Sequence, residues 1–357
     1  MHILHVVGAR PNFMKVAPVW AALATRPSTR QTMVHTGQHY DVNMSDVFFQ
    51  QLQMPVPDVN LGVGSGTHAR QTADIIAGFE PVIEERKPDL VLVYGDVNST
   101  MAASLVCSKL RIPVGHVEAG LRSRDRSMPE EINRLITDQL SDLLFTPSAD
   151  ADENLQHEGI PDRKIHRVGN VLIDTLVRML PVCGAHKPEN LPSRYALVTL
   201  HRPSNVDDLP WLRALLLALS DLNEKLTVVF PVHPRTRQRI HDLGLQALAL
   251  RLLDPQPYLA FLALERDATV VITDSGGMQE ETSFLGVPCL TIRENTERPI
   301  TVTMGTNVLV GRDVERMVEE VNRILTSKRK PPSAIPLWDG HAAERIAQLI
   351  VRADRSA

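Results

Sequence analysis

The sequence predicts an α/β protein made of two doubly wound domains, each a parallel sheet with helices on both faces. Short runs rich in β-branched residues alternate with longer helical patterns along the whole chain. The runs are nearly continuous in apolar residues, as expected for parallel strands that are buried on both faces. The length of 357 residues suits two domains better than one.

Ten strands and several amphipathic helices are predicted from these patterns. The strands cover residues 2–7, 31–36, 89–94, 112–117, 143–146 and 165–168, and then 195–200, 226–232, 269–273 and 288–292. The clearest helices cover residues 99–110, 130–140, 209–222 and 314–326. We place a domain boundary near Gly169, which gives an N-terminal domain of 1–169 and a C-terminal domain of 170–339. A last helix within 340–357 is expected to pack back on the first domain, and a central cleft is expected between the domains.

Composition and charge exclude several classes of protein. The formal net charge is −4, with both signs interspersed, so the basic surface that nucleic acids require is not predicted. The three cysteines have no paired spacing, which argues against a disulfide framework or a zinc site. The first residues resemble a strand rather than a signal peptide, and no apolar stretch is long enough to span a membrane. A cytoplasmic protein without membrane contact is expected.

Polar and charged residues follow one predicted strand after another. In open parallel sheets, ligands bind beyond the carboxyl ends of the strands. The groups at these positions are Arg10 and Lys15, Asp96, Glu118 to Arg122, His201 and Arg202, and Asp274 to Gly277. A protein with a purely structural role has no reason to concentrate titratable groups on one rim, so this pattern predicts a ligand site.

The turn Ser275-Gly276-Gly277 joins a predicted buried strand to a helix. The free N–H groups and the dipole of a helix start attract anions, and the two glycines leave room for a diphosphate. Ser275 can add its hydroxyl, and Glu281 can accept hydrogen bonds from both hydroxyls of a ribose. The alternative is that Gly276 and Gly277 only form a tight turn and that Glu280 and Glu281 only complement the helix dipole.

Three carboxylates form a second candidate group. Asp96 and Glu118 directly follow strands, and Glu130 opens a helix after Pro129. Carboxylates that meet in a cleft raise one another's pKa, which suits general acid and base catalysis. Taken singly, Asp96 is equally well a turn residue, and Glu130 a charge at a helix start.

Three cationic or ionisable groups are candidates for holding a diphosphate. His201 can neutralise a leaving diphosphate, with a simple hydrogen bond at the rim as the alternative. Arg10 and Lys15 lie on the first loop and helix, where they can clamp a diphosphate.

Common cofactor signatures do not occur at the expected places. No G-x-G-x-x-G follows the first strand, which offers only Gly8 before the helix, and there is neither a P-loop nor an H-E-x-x-H motif. The expected enzyme therefore works without a nicotinamide cofactor, without ATP and without a catalytic metal.

Taken together, these motifs resemble those of the non-hydrolysing UDP-N-acetylglucosamine 2-epimerase family, in the same order and over nearly the whole chain. The matching stretches are Gly8-Ala9-Arg10-Pro11 with Lys15, Tyr94-Gly95-Asp96, residues 115–122, residues 129–134, Gly169-Asn170, His201-Arg202, residues 273–281 and Thr296-Glu297-Arg298-Pro299. The resemblance implies a GT-B fold of two Rossmann-like domains, a homodimer, and a UDP-sugar as substrate. Its catalytic positions are Asp96, Glu118, Glu130 and His201. Its UDP-sugar contacts are Arg10, Lys15, Gln256, Phe261, Ser275, Gly276, Gly277, Glu281 and Arg298.

The implied reaction is epimerisation at C2 of the sugar. The C2 hydrogen is not acidic enough for direct removal, so UDP is eliminated across C1–C2 to give a 2-acetamidoglucal. UDP then adds back while a proton arrives from the other face. Alternatives are a GT-B glycosyltransferase, an epimerase for a modified UDP-sugar such as a uronate, a hydrolysing 2-epimerase, and a non-catalytic UDP-sugar sensor.

The chain departs from many bacterial members of the family at three places. Residues 121–128 lack their Tyr-Ser-Pro-Trp stretch, residues 38–41 differ from a segment tied to allosteric activation by the substrate, and Ile300 stands where a glutamate is common. These departures leave the identity of the sugar and the allosteric control open. Arg124 and Arg126 in the first of these stretches are candidates for reading a carboxylate on the sugar.

Overall fold

A computed structural model of the chain describes residues 1–37, 51–52, 54–327 and 334–354. The segment 38–41, at which an allosteric signal is considered above, lies outside these ranges. Two compact units are present: Met1–Thr175 together with the C-terminal segment from Pro336 onward, and Leu176–Ile335. No helix in the described ranges is both long enough and apolar enough to cross a lipid bilayer.

The first unit is built on a parallel sheet of seven strands. In chain order these are β1 His2–Val7, β2 Arg30–His35, β3 Val59–Asn60, β4 Leu90–Tyr94, β5 Val114–Val117, β6 Leu143–Thr146 and β7 Ile165–Arg167. Their spatial order is β3-β2-β1-β4-β5-β6-β7, so the direction of winding reverses between β1 and β4. That reversal is where an open sheet of this type offers a crevice for ligands.

Helices cover both faces of this sheet. They are α1 Arg10–Ala24, α2 His68–Arg86, α3 Asn98–Leu110, α4 Pro129–Leu140, α5 Ala149–His157 and α6 Val171–Cys183. Apolar residues recur at helical spacing on their inner faces: Ile75, Phe79 and Ile83 of α2 are all buried. Phe79 packs in one cluster with strand residues such as Val6 and Val91. This packing fixes the ends of β1, β4 and β5 relative to one another.

The second unit repeats the design with six parallel strands. These are β8 Tyr195–Thr199, β9 Thr227–Pro231, β10 Arg251–Leu253, β11 Val270–Thr273, β12 Cys289–Thr291 and β13 Asn307–Leu309, in the order β10-β9-β8-β11-β12-β13. The helices are α7 Pro203–Val206, α8 Leu209–Leu222, α9 Pro234–Asp242, α10 Tyr258–Asp267, α11 Gly276–Leu285, α12 Ile300–Thr303 and α13 Val314–Thr326. The winding reverses between β8 and β11, the strands that precede His201 and Ser275.

The last helix, α14 Ala342–Asp354, belongs to the first unit and packs against α1. Asp174 of α6 caps its start, accepting backbone hydrogen bonds from Ala342 over 3.1 Å and Ala343 over 2.7 Å. The indole N–H of Trp338 donates to the carbonyl oxygen of Pro147 over 2.9 Å. These contacts connect the C-terminal segment to the first sheet.

All ten predicted strands occur, with ends shifted by two residues at most, and the α/β class with two parallel sheets is confirmed. Three further strands, β3, β10 and β13, were not predicted. Each has only two or three residues, although β7 and β12, which were predicted, also have only three.

Candidate active site

Lys15 and Glu118 form a buried ion pair at the carboxyl end of the first sheet. Lys15 lies on α1, which follows β1, and Glu118 directly follows β5. The ammonium nitrogen of Lys15 contacts Oε2 of Glu118, and both side chains are almost fully buried. The ion pair fixes the position of the Glu118 carboxylate at the end of the sheet.

The backbone around this ion pair has unusual conformations. Gly95 has a φ of +63°, and a Cβ there would lie 2.7 Å from Lys15 Nζ and 3.1 Å from Glu118 Oε2. Glycine therefore permits the close approach. Glu118 itself has a φ of +76°, which costs a residue with a side chain roughly 1–3 kcal/mol. The surrounding contacts hold the Glu118 carboxylate in a conformation that an unconstrained chain would avoid.

Asp96 is held by Arg134, a residue of α4. The guanidinium NH1 of Arg134 contacts Oδ2 of Asp96, and its NH2 lies 2.6 Å from Oε2 of Glu131. Glu131 also accepts the backbone N–H groups of Ser123 and Arg124 over 2.9 and 2.8 Å. Arg134 is only 1% exposed. This arrangement connects Asp96, α4 and the loop that follows Glu118.

The two adjacent glutamates at the start of α4 have different surroundings. Burial by itself would raise the pKa of Glu131, but hydrogen bonds from Arg134 and from the backbone lower it overall. Glu130 occupies the same first turn and is half-buried. Glu131 therefore belongs to the framework, whereas Glu130 is the glutamate of the two that is open to a ligand.

Below these groups lies a buried aspartate–histidine pair. His116 of β5 has Nδ1 at 2.6 Å from Oδ1 of Asp138 and Nε2 at 2.8 Å from the carbonyl oxygen of Gly95. Asp138 also accepts the N–H of Gly120 over 3.1 Å and pairs with Arg122 over 2.7 Å. Burial would raise the pKa of Asp138, but His116 and Arg122 bring it below its usual value. The pair ties together the segments that carry Asp96 and Glu118.

A second aspartate–histidine pair occurs in the other unit. Asp274 follows β11 and is fully buried, and its Oδ1 lies 2.7 Å from Nδ1 of His201, which follows β8. Asp274 Oδ2 also accepts the N–H of Arg202 over 2.9 Å and the amide of Asn205 over 3.1 Å. Burial would raise the pKa of Asp274, but the bonds to His201 and these other donors lower it overall. The His201 side chain is 57% exposed, so its Nε2 edge is accessible.

The turn after Asp274 opens α11, as the sequence predicts. Ser275 is the residue before the helix, and its hydroxyl caps no backbone N–H. Gly276 lies against an ion network, because a Cβ there would come within 2.5 Å of Arg298 NH1 and 2.6 Å of Glu297 Oε1. Arg298 contacts both Glu297 and Glu280, the latter over 2.9 Å. The helix start thus combines unused N–H groups, a hydroxyl and a guanidinium.

Three other predicted UDP-sugar contacts lie on or just before α10 and α11: Gln256, Phe261 and Glu281. Glu281 of α11 is nearly buried, and its Oε1 accepts the hydroxyl of Tyr258 over 2.9 Å. Gln256 is partly exposed just before α10, and its amide donates to the carbonyl oxygen of Asp254 over 2.7 Å. Phe261 of α10 packs against the apolar cluster beneath. The alternative that Glu281 only complements the helix dipole accounts for neither its burial nor its partner.

The acid cluster is our name for Lys15, Asp96, Glu118, Glu130 and Arg134 in the first unit. The nucleotide cluster comprises His201, Asp274, Ser275, Gly276, Gly277, Glu281 and Arg298 in the second. Within the ranges that the structure describes, no three His, Cys, Asp or Glu side chains converge as metal ligands do. The first cluster brings together carboxylates and two cationic side chains, and the second combines a helix start with a histidine and a guanidinium.

Comparison with known proteins identifies the family. The family model of UDP-N-acetylglucosamine 2-epimerase matches residues 21–351. The chain belongs to this family.

Similar relatives cover the whole length of the chain. A UDP-N-acetylglucosamine 2-epimerase of Methanocaldococcus jannaschii is 41% identical over 366 residues, which are 98% of this chain and 99% of the relative. A UDP-2,3-diacetamido-2,3-dideoxy-D-glucuronate 2-epimerase of Pseudomonas aeruginosa is 42% identical over 357 residues, 99% of this chain and 100% of the relative. Within the 2-epimerase family, this chain is therefore equally similar to proteins with two different sugar substrates.

Solved structures of the 2-epimerase family confirm the fold class. The crystal structure of the M. jannaschii UDP-GlcNAc 2-epimerase in complex with UDP-GlcNAc and UDP has a TM-score of 0.90 at 40% identity, covering 99% of this chain and 100% of that one. A Neisseria meningitidis UDP-GlcNAc 2-epimerase bound to UDP-GlcNAc has a TM-score of 0.89 at 32% identity, over 99% and 100% of the two chains. The predicted GT-B fold is that of this family.

Sequence reasoning did not assign several residues that the family's site depends on here. Asp138 and Tyr258, which hold a predicted site residue or its loop, were not predicted at all. Asp274 was predicted only as a polar group at a strand end, and Arg134 only as part of the matching stretch 129–134; neither was predicted as the partner of His201 or of Asp96. The sequence spacing could have indicated one of these contacts, the ion pair of Glu131 and Arg134, because the two residues are three apart on one helix face. Of Arg10, the structure describes only the backbone, at the start of α1; its side chain lies outside what is described.

Proposed function

We propose that this chain epimerises the C2 carbon of UDP-N-acetylglucosamine reversibly to UDP-N-acetylmannosamine. The observation that carries the proposal is the full-length match to 2-epimerases, including a structure whose ligands are UDP-GlcNAc and UDP. The two clusters supply the two kinds of group that the reaction needs. We infer that both act on one substrate molecule.

The nucleotide cluster suits the departure of UDP. Elimination breaks the C1–oxygen bond, and the electron pair leaves with the diphosphate, which gains negative charge. The α11 start, Ser275 and His201 are donors or positive charges that stabilise such an anion. Arg298 adds a guanidinium, Glu281 accepts the ribose hydroxyls, and Gln256 and Phe261 flank the uracil end. Arg10 and Lys15 are proposed contacts of the diphosphate from the first unit.

The acid cluster suits proton transfer at C2. As UDP leaves, a base removes the C2 proton, and the electrons of the C–H bond form the C1=C2 double bond of the glycal. In the return step an acid delivers a proton to the opposite face of C2 while UDP re-forms the bond to C1. Asp96, Glu118 and Glu130 are the proposed acid and base groups. Lys15 and Arg134 contact Glu118 and Asp96 and fix the positions of these two carboxylates.

Deuterium exchange tests the reaction directly. Incubation with UDP-GlcNAc in heavy water should place deuterium at C2 of the product and of recovered substrate. Protium retained in both would refute the elimination. Stoichiometric release of free UDP would instead indicate a hydrolysing enzyme, and net transfer of the sugar to an acceptor would indicate a glycosyltransferase.

Neighbouring glutamates provide a matched pair of variants for the same assay. Glu130→Gln, like Asp96→Asn and Glu118→Gln, should reduce exchange by at least about 10²-fold while UDP binding persists. Glu131→Gln should instead lower the stability of the protein, because Glu131 is bonded to Arg134 and to the backbone of Ser123 and Arg124. Near-normal exchange in all three acid variants would refute the proposed acid–base group.

A second candidate substrate is a UDP-linked diacetamido-uronate, undergoing the same reaction. It is favoured by the P. aeruginosa relative, whose identity of 42% is close to the 41% of the M. jannaschii UDP-N-acetylglucosamine 2-epimerase. Two arginines, Arg124 and Arg126, are exposed in the loop after Glu118 and suit a sugar carboxylate. Exchange rates on both nucleotide sugars decide between them, and preference for the uronate should depend on these arginines.

The assembly and the compartment stay predictions from the family. We infer a homodimer, which light scattering on the purified protein tests, and a cytoplasmic location, which fractionation of cells tests. The proposed division is an N-terminal catalytic domain of 1–169, a UDP-binding domain of 170–339 and a returning C-terminal helix.

A further inference from the structure

A carboxyl group without an assigned role lies next to the proposed ribose contact. Glu265 belongs to α10, seven residues after Tyr258, so the two side chains share one face of the helix. Glu265 is fully buried. Neither of its oxygens makes a hydrogen bond within normal distance and angle limits, although its carboxyl group is close enough to Glu281 for the two to interact strongly.

No cation neutralises this pair of acids among the described residues. Arg266, the next residue in the chain, contacts Asp267 over 2.7 Å, as does Lys187. Besides Tyr258, the other titratable groups that face the site are the thiols of Cys183 and Cys289. Burial raises the pKa of both thiols, that of Cys289 to about 12, so they stay neutral.

Two buried carboxyl groups without a cation cannot both be ionised. Burial, and then the charge of Glu281, raises the pKa of Glu265 well above its usual value. Burial also raises the pKa of Glu281 to about 7, although the hydrogen bond from Tyr258 and the nearby Glu265 carboxyl group lower it. Near neutral pH, Glu265 is therefore the protonated partner, with a hydroxyl to donate, and Glu281 is the acceptor.

We propose that Glu265 is a positioning residue for ribose recognition, acting as a neutral acid whose proton orients the Glu281 carboxylate. Tyr258 and Glu265 donate to Glu281, and the remaining lone pairs of that carboxylate accept the 2′- and 3′-hydroxyls of the nucleotide. The inference rests on the proposed function, since it takes Glu281 as the ribose contact. It assigns Glu265 to nucleotide affinity rather than to chemistry at C2.

Comparing UDP with 2′-deoxy-UDP isolates this effect, because both ligands carry the same titrating phosphate. Dissociation constants are measured by calorimetry for the full-length wild type and three variants. Glu265→Met removes the donor at similar size, Glu265→Gln keeps a donor that cannot ionise, and Leu264→Ala is a packing control on the same helix, because Leu264 is buried in the apolar cluster below. Thermal melting shows which variants are folded.

The wild type should bind UDP about 10-fold more tightly than 2′-deoxy-UDP, as expected for one hydrogen bond to a charged group. Glu265→Met should weaken UDP binding about 10-fold, change 2′-deoxy-UDP binding little, and leave kcat for C2 exchange within about 3-fold. Glu265→Gln should prefer UDP over 2′-deoxy-UDP about as strongly as the wild type does. In the wild type, the preference for UDP over 2′-deoxy-UDP should decrease as the pH falls below 7, because Glu281 then takes up a proton.

Several outcomes would overturn the assignment. Unchanged discrimination in Glu265→Met, equal losses in the Met and Gln variants, or the same pattern in Leu264→Ala would each show that donation by Glu265 is not the cause. If the Met variant does not fold, the Gln variant still decides, because loss of discrimination in a folded Gln variant contradicts a donor role. If the wild type binds UDP more tightly than 2′-deoxy-UDP but exchanges no deuterium, the proposed function is refuted and the role of Glu265 is not. Wild type that does not discriminate would refute Glu281 as the ribose contact, and the role of Glu265 with it.

Discussion

Each unit contains a buried aspartate bonded to a histidine at a strand end, yet the two pairs differ at the second ring nitrogen. In the first unit, His116 is fully buried, and its Nε2 is bonded to the Gly95 carbonyl oxygen. In the second, His201 is 57% exposed and has only its Nδ1 side fixed by Asp274. The same two residue types therefore serve as framework in one place and as a ligand-facing group in the other.

Exposure of the histidine, and not the presence of the pair, is therefore what allows chemistry with a ligand. A histidine that is bonded at both nitrogens and closed to solvent cannot exchange a proton with a ligand. One that is oriented by a buried carboxylate and open at the other nitrogen can donate or accept there. Four predictions test this contrast, in order of decreasing effect.

Removal of the exposed histidine should have the largest effect. His201→Ala should reduce deuterium exchange at C2 by about 10³-fold, because the departing diphosphate loses a positioned donor. The melting temperature should stay close to that of the wild type, since the ring is mostly in solvent. Exchange within 10-fold of the wild type would show that His201 takes no part in the reaction.

Disruption of the buried pair should act on stability instead. Asp138→Asn should lower the free energy of unfolding by about 3 kcal/mol, because His116 and Arg122 lose their buried ionic partner. Urea denaturation measures this change. The folded fraction at low temperature should retain far more exchange activity than His201→Ala; the reverse ranking would contradict the framework role.

Substitution of Asp274, the partner of the exposed histidine, should have a smaller effect, mainly on the rate of the reaction. Asp274→Asn keeps the size of the side chain but weakens the orientation of His201, so kcat should fall about 30-fold with little change in KM. The double variant with His201→Ala should be no slower than His201→Ala alone. Additive losses would mean that Asp274 acts independently of the histidine.

The smallest effect concerns Asp174, a buried aspartate whose carboxylate accepts hydrogen bonds from two backbone N–H groups. Burial raises the pKa of Asp174 to about 6, in contrast to the lowered values of Asp138 and Asp274. Between pH 4 and 6 the folded state then binds more protons than the unfolded state, so this residue's contribution to stability declines as the pH rises. The decline should amount to about 1–2 kcal/mol.

Asp174→Asn provides the control for that pH dependence. It keeps an acceptor for the start of α14 but cannot titrate, so the decline between pH 4 and 6 should disappear from urea denaturation curves. An identical pH profile in the variant would show that other groups cause it.

Much of the architecture follows from local patterns. The strands that precede Asp96, Glu118, His201 and Ser275 were predictable, because continuous apolar runs and flanking glycines are properties of neighbouring residues. The family motifs then predicted that these residues belong to one site. The strands β3, β10 and β13 were not predicted; their length is not the reason, since β7 and β12 are as short as β10 and β13 and were predicted.

By itself, the sequence determined the two parallel sheets, the rim that carries the polar groups and the family. Only the tertiary structure decided which charged residues are partners. That Glu130 stays partly exposed while Glu131 binds Arg134, that Asp274 contacts His201, and that Glu265 lies near Glu281 depend on side chains brought together by packing. Periodicity records which face of an element is buried, but the partner of a buried charge is set by whichever element packs against it, and no single stretch of sequence contains both.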